Sequence, residues 1–159
     1  MGSPAVSQGG TVRSEGRVLA IDYGRRRLGL AVSDPLRVAA LPLATWTRSN
    51  RRHDLARLRS LCREQGITRI VVGWPLQLSG ARGDMASEAA GFADRIRKDL
   101  GIPVELVDER LSSWEAEQVL AHDHATKGRS PKHPKHRRLD EVAAAVILRD
   151  YLYGADKGA

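Results

Sequence analysis

The chain has 159 residues, 42% hydrophobic and 28% charged, which suits one soluble globular domain with enough length for a two- or three-layer core. No run approaches the roughly 20 apolar residues of a membrane span, no apolar leader is expected, and a single cysteine excludes an internal disulfide and fits a reducing cytoplasm. Lysine and arginine total 26 against 19 acidic residues, and the net charge of +7 favours a polyanionic partner, of which nucleic acid is the commonest.

Residues 1–16 are rich in Gly, Ser and small polar residues without apolar periodicity, so they read as a disordered lead-in. The ordered domain is expected over 17–153, followed by a short tail at 154–159. Val18–Asp22 and Leu28–Ser33 read as strands joined through a turn that contains Gly24, and Val38–Trp46, interrupted by Pro42, reads as a third strand at a sheet edge. The period then changes. Asn50 can cap a helix carrying Leu55, Leu58, Leu61 and Cys62 on one stripe, with Gly66 as its stop. The stripe favours a buried Cys62 thiol over an intermolecular link.

Ile70–Val72 forms the heart of a short buried strand over Arg69–Gly73. Asp84 is placed to cap a helix with Met85, Ala89, Phe92, Ile96 and Leu100 along one face, ended by Gly101. Val104–Val107 reads as another strand, Ser112-x-x-Glu115 as a capping box opening a helix to about Ala121, and Leu139–Tyr153 as the last helix. Three meandering strands followed by strand–helix alternation predict an α/β protein, with one mixed five-stranded sheet and helices on its faces.

Asp22 ends the apolar run Val18-Leu19-Ala20-Ile21 just before a Gly-containing turn. A buried carboxylate without partners costs several kcal/mol, so an acid at this point has a ligand or a structural task. Asp108 and Glu109 follow a second apolar strand in the same way. Asp140 shares a helical face with Ala143, Ala144 and Ile147, and the small alanines allow close approach to a sheet. Carboxylates from three separate elements would make an oxygen-rich site suited to Mg²⁺ or Mn²⁺. Each acid also has a plainer use: Asp22 in turn hydrogen bonds, Glu109 in a pair with Arg110 or Arg69, and Asp140 at a positive helix end.

Four segments, Ile21-Asp22-Tyr23-Gly24, Val71-Val72-Gly73-Trp74-Pro75-Leu76, Asp108-Glu109-Arg110-Leu111-Ser112-Ser113 and Asp140-x-x-Ala143-Ala144, stand in the order of the YqgF/RuvX family, which the chain resembles from about Arg17 to Tyr153. The resemblance implies a ribonuclease-H-like fold and a nuclease assigned to pre-16S rRNA processing or to Holliday-junction resolution. It implies Asp22, Glu109 and Asp140 as the metal-binding, catalytic acids, choosing Glu109 over Asp108. It also implies two-metal phosphodiester hydrolysis with Mg²⁺ or Mn²⁺. Trp74 departs from the aliphatic residue that is commoner in the family, and packing is its expected role.

The stretch His122–Arg138 supplies Lys127, Arg129, Lys132, Lys135, Arg137 and Arg138 just ahead of Asp140, with Gly128, Pro131 and Pro134 opposing a regular helix through its middle. Such a loop can hold phosphate without reading sequence. Its histidines match no zinc spacing. Arg25 and Arg26, in the turn beside Asp22, are further candidate phosphate contacts, with Arg27 next to them.

The expected partner is structured RNA, pre-16S rRNA foremost, or branched DNA. A monomer would serve RNA, whereas symmetric junction cutting needs a homodimer. A non-catalytic RNA-binding assembly factor is a rival reading, weakened because bare acids would repel phosphate. An actin-like or sugar-kinase ATPase shares the Asp-x-Gly hairpin but needs a second domain for which the chain has no room.

Overall fold

The computed structural model describes residues 16–75, 82–109 and 135–158. The lead-in before Gly16, the helix expected from Ser112 and most of the basic stretch lie outside the described residues. β1 (Arg17–Asp22), β2 (Arg27–Ser33) and β3 (Ala40–Thr47) form an antiparallel meander. α1 (Arg51–Gln65), β4 (Ile67–Pro75), α2 (Arg82–Leu100), β5 (Val104–Glu109) and α3 (Lys135–Gly158) follow. Among the described residues the strands make one mixed sheet in the order β3-β2-β1-β4-β5, with β1, β4 and β5 parallel.

Local chemistry explains most boundaries. The Asn50 side chain accepts the His53 N–H at 2.8 Å, starting α1, and Gly66 takes the left-handed conformation (φ 68°) that ends it. β3 lies at the edge, and Pro42 sits where the register shifts, so its missing N–H costs no central ladder bond. α2 starts at Arg82, ahead of the expected cap, and Asp84 stands inside the first turn, where its charge suits the helix N-terminus.

Two further differences touch the site. β5 runs to Glu109 instead of ending at Val107, because β4 extends to Pro75 and pairs Trp74 with Asp108 and Pro75 with Glu109. α3 starts at Lys135 instead of Leu139, and it continues to Gly158, through most of the expected tail. No proline follows position 134, so no residue beyond it removes a helical hydrogen bond or blocks the preceding turn.

The sheet buries both faces. Leu19, Ile21, Leu30, Ile70 and Val72 pack against the apolar stripes of α1 and α2. On the other face Val18, Ala20, Ala31 and Val71 meet Ala144, Ile147 and Leu148 of α3. Strand alternation thus assigns each residue a side. Asp22, two on from Ala20, falls on the α3 side.

Candidate active site

Asp22 is 8% exposed at the end of β1. Its ladder neighbours are both glycines, Gly29 in β2 and Gly73 in β4. The Gly29 position is spatially obligatory. A Cβ there would collide with the backbone carbonyl of Asp140 and lie 3.1 Å from the Asp140 Cβ. Gly29 therefore lets α3 descend onto the sheet beside Asp22, and the buried Ala143 and Ala144 hold it close.

The Asp140 carboxylate is fixed by Arg27, whose Nε donates to Oδ2 at 2.7 Å. The next residue, Glu141, accepts the Thr45 hydroxyl at 3.1 Å, and Thr45 is itself the ladder partner of Gly29. Asp22 and Asp140 border one cleft of about 250 Å³ together with Arg25, Arg26, Arg27 and Met85.

Position 109 is the last of β5 and pairs with Pro75 of β4. Asp22 pairs with Gly73 and Gly73 with Val107, so position 109, two on from Val107, shares the α3 side with Asp22. Asp108 falls on the opposite side. The Glu109 side chain is outside the described residues, and among those described no three His, Cys, Asp or Glu converge.

The basic candidates separate into four groups. Arg25 is held by Glu88 through a forked contact, Nε at 2.9 Å and 3.0 Å and Nη2 at 2.7 Å, and its guanidinium keeps the Glu88 carboxyl below the usual carboxylate range. Arg26 is exposed on the cleft. Lys135, Arg137 and Arg138 belong to the first turns of α3, with only their backbone described, while Lys127, Arg129 and Lys132 lie outside the described residues.

Sequence reasoning placed Arg27 only among the phosphate candidates of the turn and gave Arg48 no role. Arg27 faces Asp140, a position readable in retrospect from its two-residue offset to Gly29 and Ala31. Arg48 has no such signal. Its Nη1 donates to the Gly24 carbonyl at 2.9 Å, its Nε to the buried Asp54 at 3.1 Å, and its guanidinium lies 5.1 Å from the ring centres of both Tyr23 and Phe92. That clamp ties the turn after Asp22 to α1 and α2.

The donor set fits a hard divalent cation. Asp22 and Asp140 bring carboxylate oxygens from a strand end and a helix to one cleft, and no thiolate or imidazole among the described residues joins them. Arg27 engages one Asp140 oxygen.

Known proteins align with this chain over nearly all of its length. The sequence model of the RuvX family, described as Holliday junction resolvase, matches residues 16–154. A Koribacter versatilis protein named "Putative pre-16S rRNA nuclease" is 42% identical over 137 residues, 86% of each chain. An Anaeromyxobacter dehalogenans protein of the same name is 43% identical over 136 residues, 86% of this chain and 96% of its own. In three dimensions the chain is similar to RuvC of T. thermophilus, solved with a Holliday junction substrate, at a TM-score of 0.59 and 18% identity over 91% of this chain and 98% of that one. The fold is ribonuclease-H-like, as the resemblance implied.

Proposed function

The chain belongs to the RuvX family, and on that premise we propose that it is a divalent-metal-dependent nuclease whose Asp22, Glu109 and Asp140 form the catalytic site and whose substrate is the 5′ end of pre-16S rRNA. The observation that carries this reading is the seating of the Asp140 carbonyl on Gly29. It brings two carboxylates from remote parts of the chain into one cleft at the strand ends.

Nucleases of this kind are generally dependent on divalent metals, and Mg²⁺ or Mn²⁺ would be held by Asp22, Asp140 and, by register, Glu109. Bound cations supply activation of a water for attack on phosphorus and stabilisation of the departing oxygen. The protein's own part is positional. Gly29 and the Ala143–Ala144 face set the helix height, Arg27 orients Asp140, and the Arg48 clamp holds the Tyr23–Gly24 turn. Arg26, and the basic residues before Asp140 (Lys127, Arg129, Lys132, Lys135, Arg137 and Arg138), supply phosphate contacts that position a strand without reading bases.

The ribosomal substrate is supported by the names of relatives at 42–43% identity. Resolution of four-way DNA junctions is the second reading, supported by the family's description. It requires two copies, since paired symmetric cuts need two sites. A cytoplasmic setting accompanies the ribosomal reading. Among the described residues no helix is long and apolar enough to cross a membrane.

The deciding experiment offers an rRNA precursor spanning the 5′ end and a four-way DNA junction to wild type and Asp22→Asn in Mg²⁺. Cutting of the RNA, abolished in the variant, is expected. Symmetric nicks in the junction alone would transfer the protein to recombination. No Asp22-dependent cutting of either would sink the nuclease reading.

A further inference from the structure

Tyr23 borders two concavities besides the acid cleft. The first, about 400 Å³, carries Arg25, Arg26, Arg48, Arg51 and Asp54. The second, about 320 Å³, carries Arg48, Arg51, Glu88, Phe92 and Arg95. The first shares Arg25 and Arg26 with the acid cleft and Arg48 and Arg51 with the second, so the three adjoin around Tyr23 and outline a groove.

Five arginines face the two outer concavities against two carboxylates, and both carboxylates are occupied, Asp54 by Arg48 and Glu88 by Arg25. Arg26, Arg51 and Arg95 are exposed and pair with no carboxylate among the described residues. On the same two helices Arg59 pairs with Asp99, and Arg97 and Lys98 pair with Asp94. Along this path Arg26, Arg51 and Arg95 present guanidinium groups that no carboxylate among the described residues neutralises. Tyr23 and Phe92 are 7% and 6% exposed, so neither presents a ring face for base stacking.

We propose that this groove holds the sugar–phosphate backbone of the substrate strand beside the scissile bond, with Arg26, Arg51 and Arg95 each neutralising a phosphate. The inference rests on the nuclease reading and adds the direction in which the strand leaves the acids, over the N-terminus of α1 towards α2. Guanidinium forks suit phosphate oxygens, and contacts of this kind are indifferent to base identity.

The test measures binding of the rRNA-precursor oligonucleotide to Arg51→Gln/Arg95→Gln in the Asp22→Asn background across a salt series, with cleavage followed in the Asp22 background. The expected result is a Kd raised roughly tenfold and a log Kd–log salt slope reduced by roughly 0.7 for each arginine lost. KM should rise with kcat unchanged, and Arg51→Lys/Arg95→Lys should recover the slope. Arg63→Gln, the loss of one such charge at the far end of α1, should leave both untouched. Unaltered affinity and slope in the Gln pair, or an equal loss in Arg63→Gln, would overturn the groove even if Asp22-dependent cleavage persists. Weakened binding without any Asp22-dependent cleavage would support the groove and overturn the nuclease reading alone.

Discussion

The backbone carbonyl of Asp140 rests on Gly29, at a point in the sheet where no side chain fits. Because Gly29 is the ladder partner of Asp22, the contact that seats α3 also sets the spacing of the two acids. Gly29→Ala should push α3 outward, destabilise the fold by about 1–3 kcal/mol and lower cleavage roughly a hundredfold. Gly154→Ala, at a helical glycine with nothing nearby, should do neither. Thermal melts and cleavage rates of the two variants, side by side, check this.

Arg27 holds Asp140 Oδ2 at 2.7 Å, so a cation bound at the proposed site would compete with it for that oxygen. Arg27→Gln should tighten Mn²⁺ binding by up to roughly fivefold, the scale of a partly exposed ion pair. Titration calorimetry reads the effect directly. Weaker binding in Arg27→Gln would mean that Arg27's orienting role outweighs the competition.

Glu88 restrains Arg25. Arg25 holds the Glu88 carboxyl below its ordinary range, so the pair persists at neutral pH and is lost only as pH falls through that lowered value. Glu88→Gln should release Arg25 and tighten oligonucleotide binding a few-fold, with a steeper salt dependence. Unchanged salt dependence in a fluorescence-anisotropy titration would remove Arg25 from the phosphate contacts.

Asp54 is 2% exposed and depends on Arg48 for its charge compensation. Arg48→Met strands that carboxylate and should cost about 3–5 kcal/mol in urea unfolding. Arg48→Met/Asp54→Asn should recover part of the loss, since no uncompensated charge stays buried.

Cys62 is buried and its thiol is pushed up to about 11. Burial disfavours the thiolate, so the associated stability is complete below the ordinary thiol range and is lost as pH rises towards that value. At pH 8 a disulfide reagent should label the native protein roughly a hundredfold more slowly than the urea-unfolded chain. Fast native labelling would contradict the burial.

Particular residues show why some features were legible beforehand. Asn50 and Gly66 bound α1 through local bonds that their own side chain and backbone make, so sequence announces them. The Asp84 cap failed by a short distance because the turn preceding a helix competes with several polar neighbours. The ends of β5 and α3 were misjudged for a different reason. Strand length depends on what the neighbouring strand offers, and Pro75 carries the pairing two residues past Val107.

By itself the sequence determined the order of the described elements, the edge placement of β3 and the buried stripes, because alternation, helical period and capping are all local. It could not decide which acids meet. Asp22 and Asp140 border one cleft because a glycine is thin enough to admit a helix from over 110 residues further along the chain. Arg27's hold on Asp140, Arg25's on Glu88 and Arg48's on Asp54 and Gly24 arise only when separate elements pack, since a charged side chain finds its partner in space and carries no record of it in sequence.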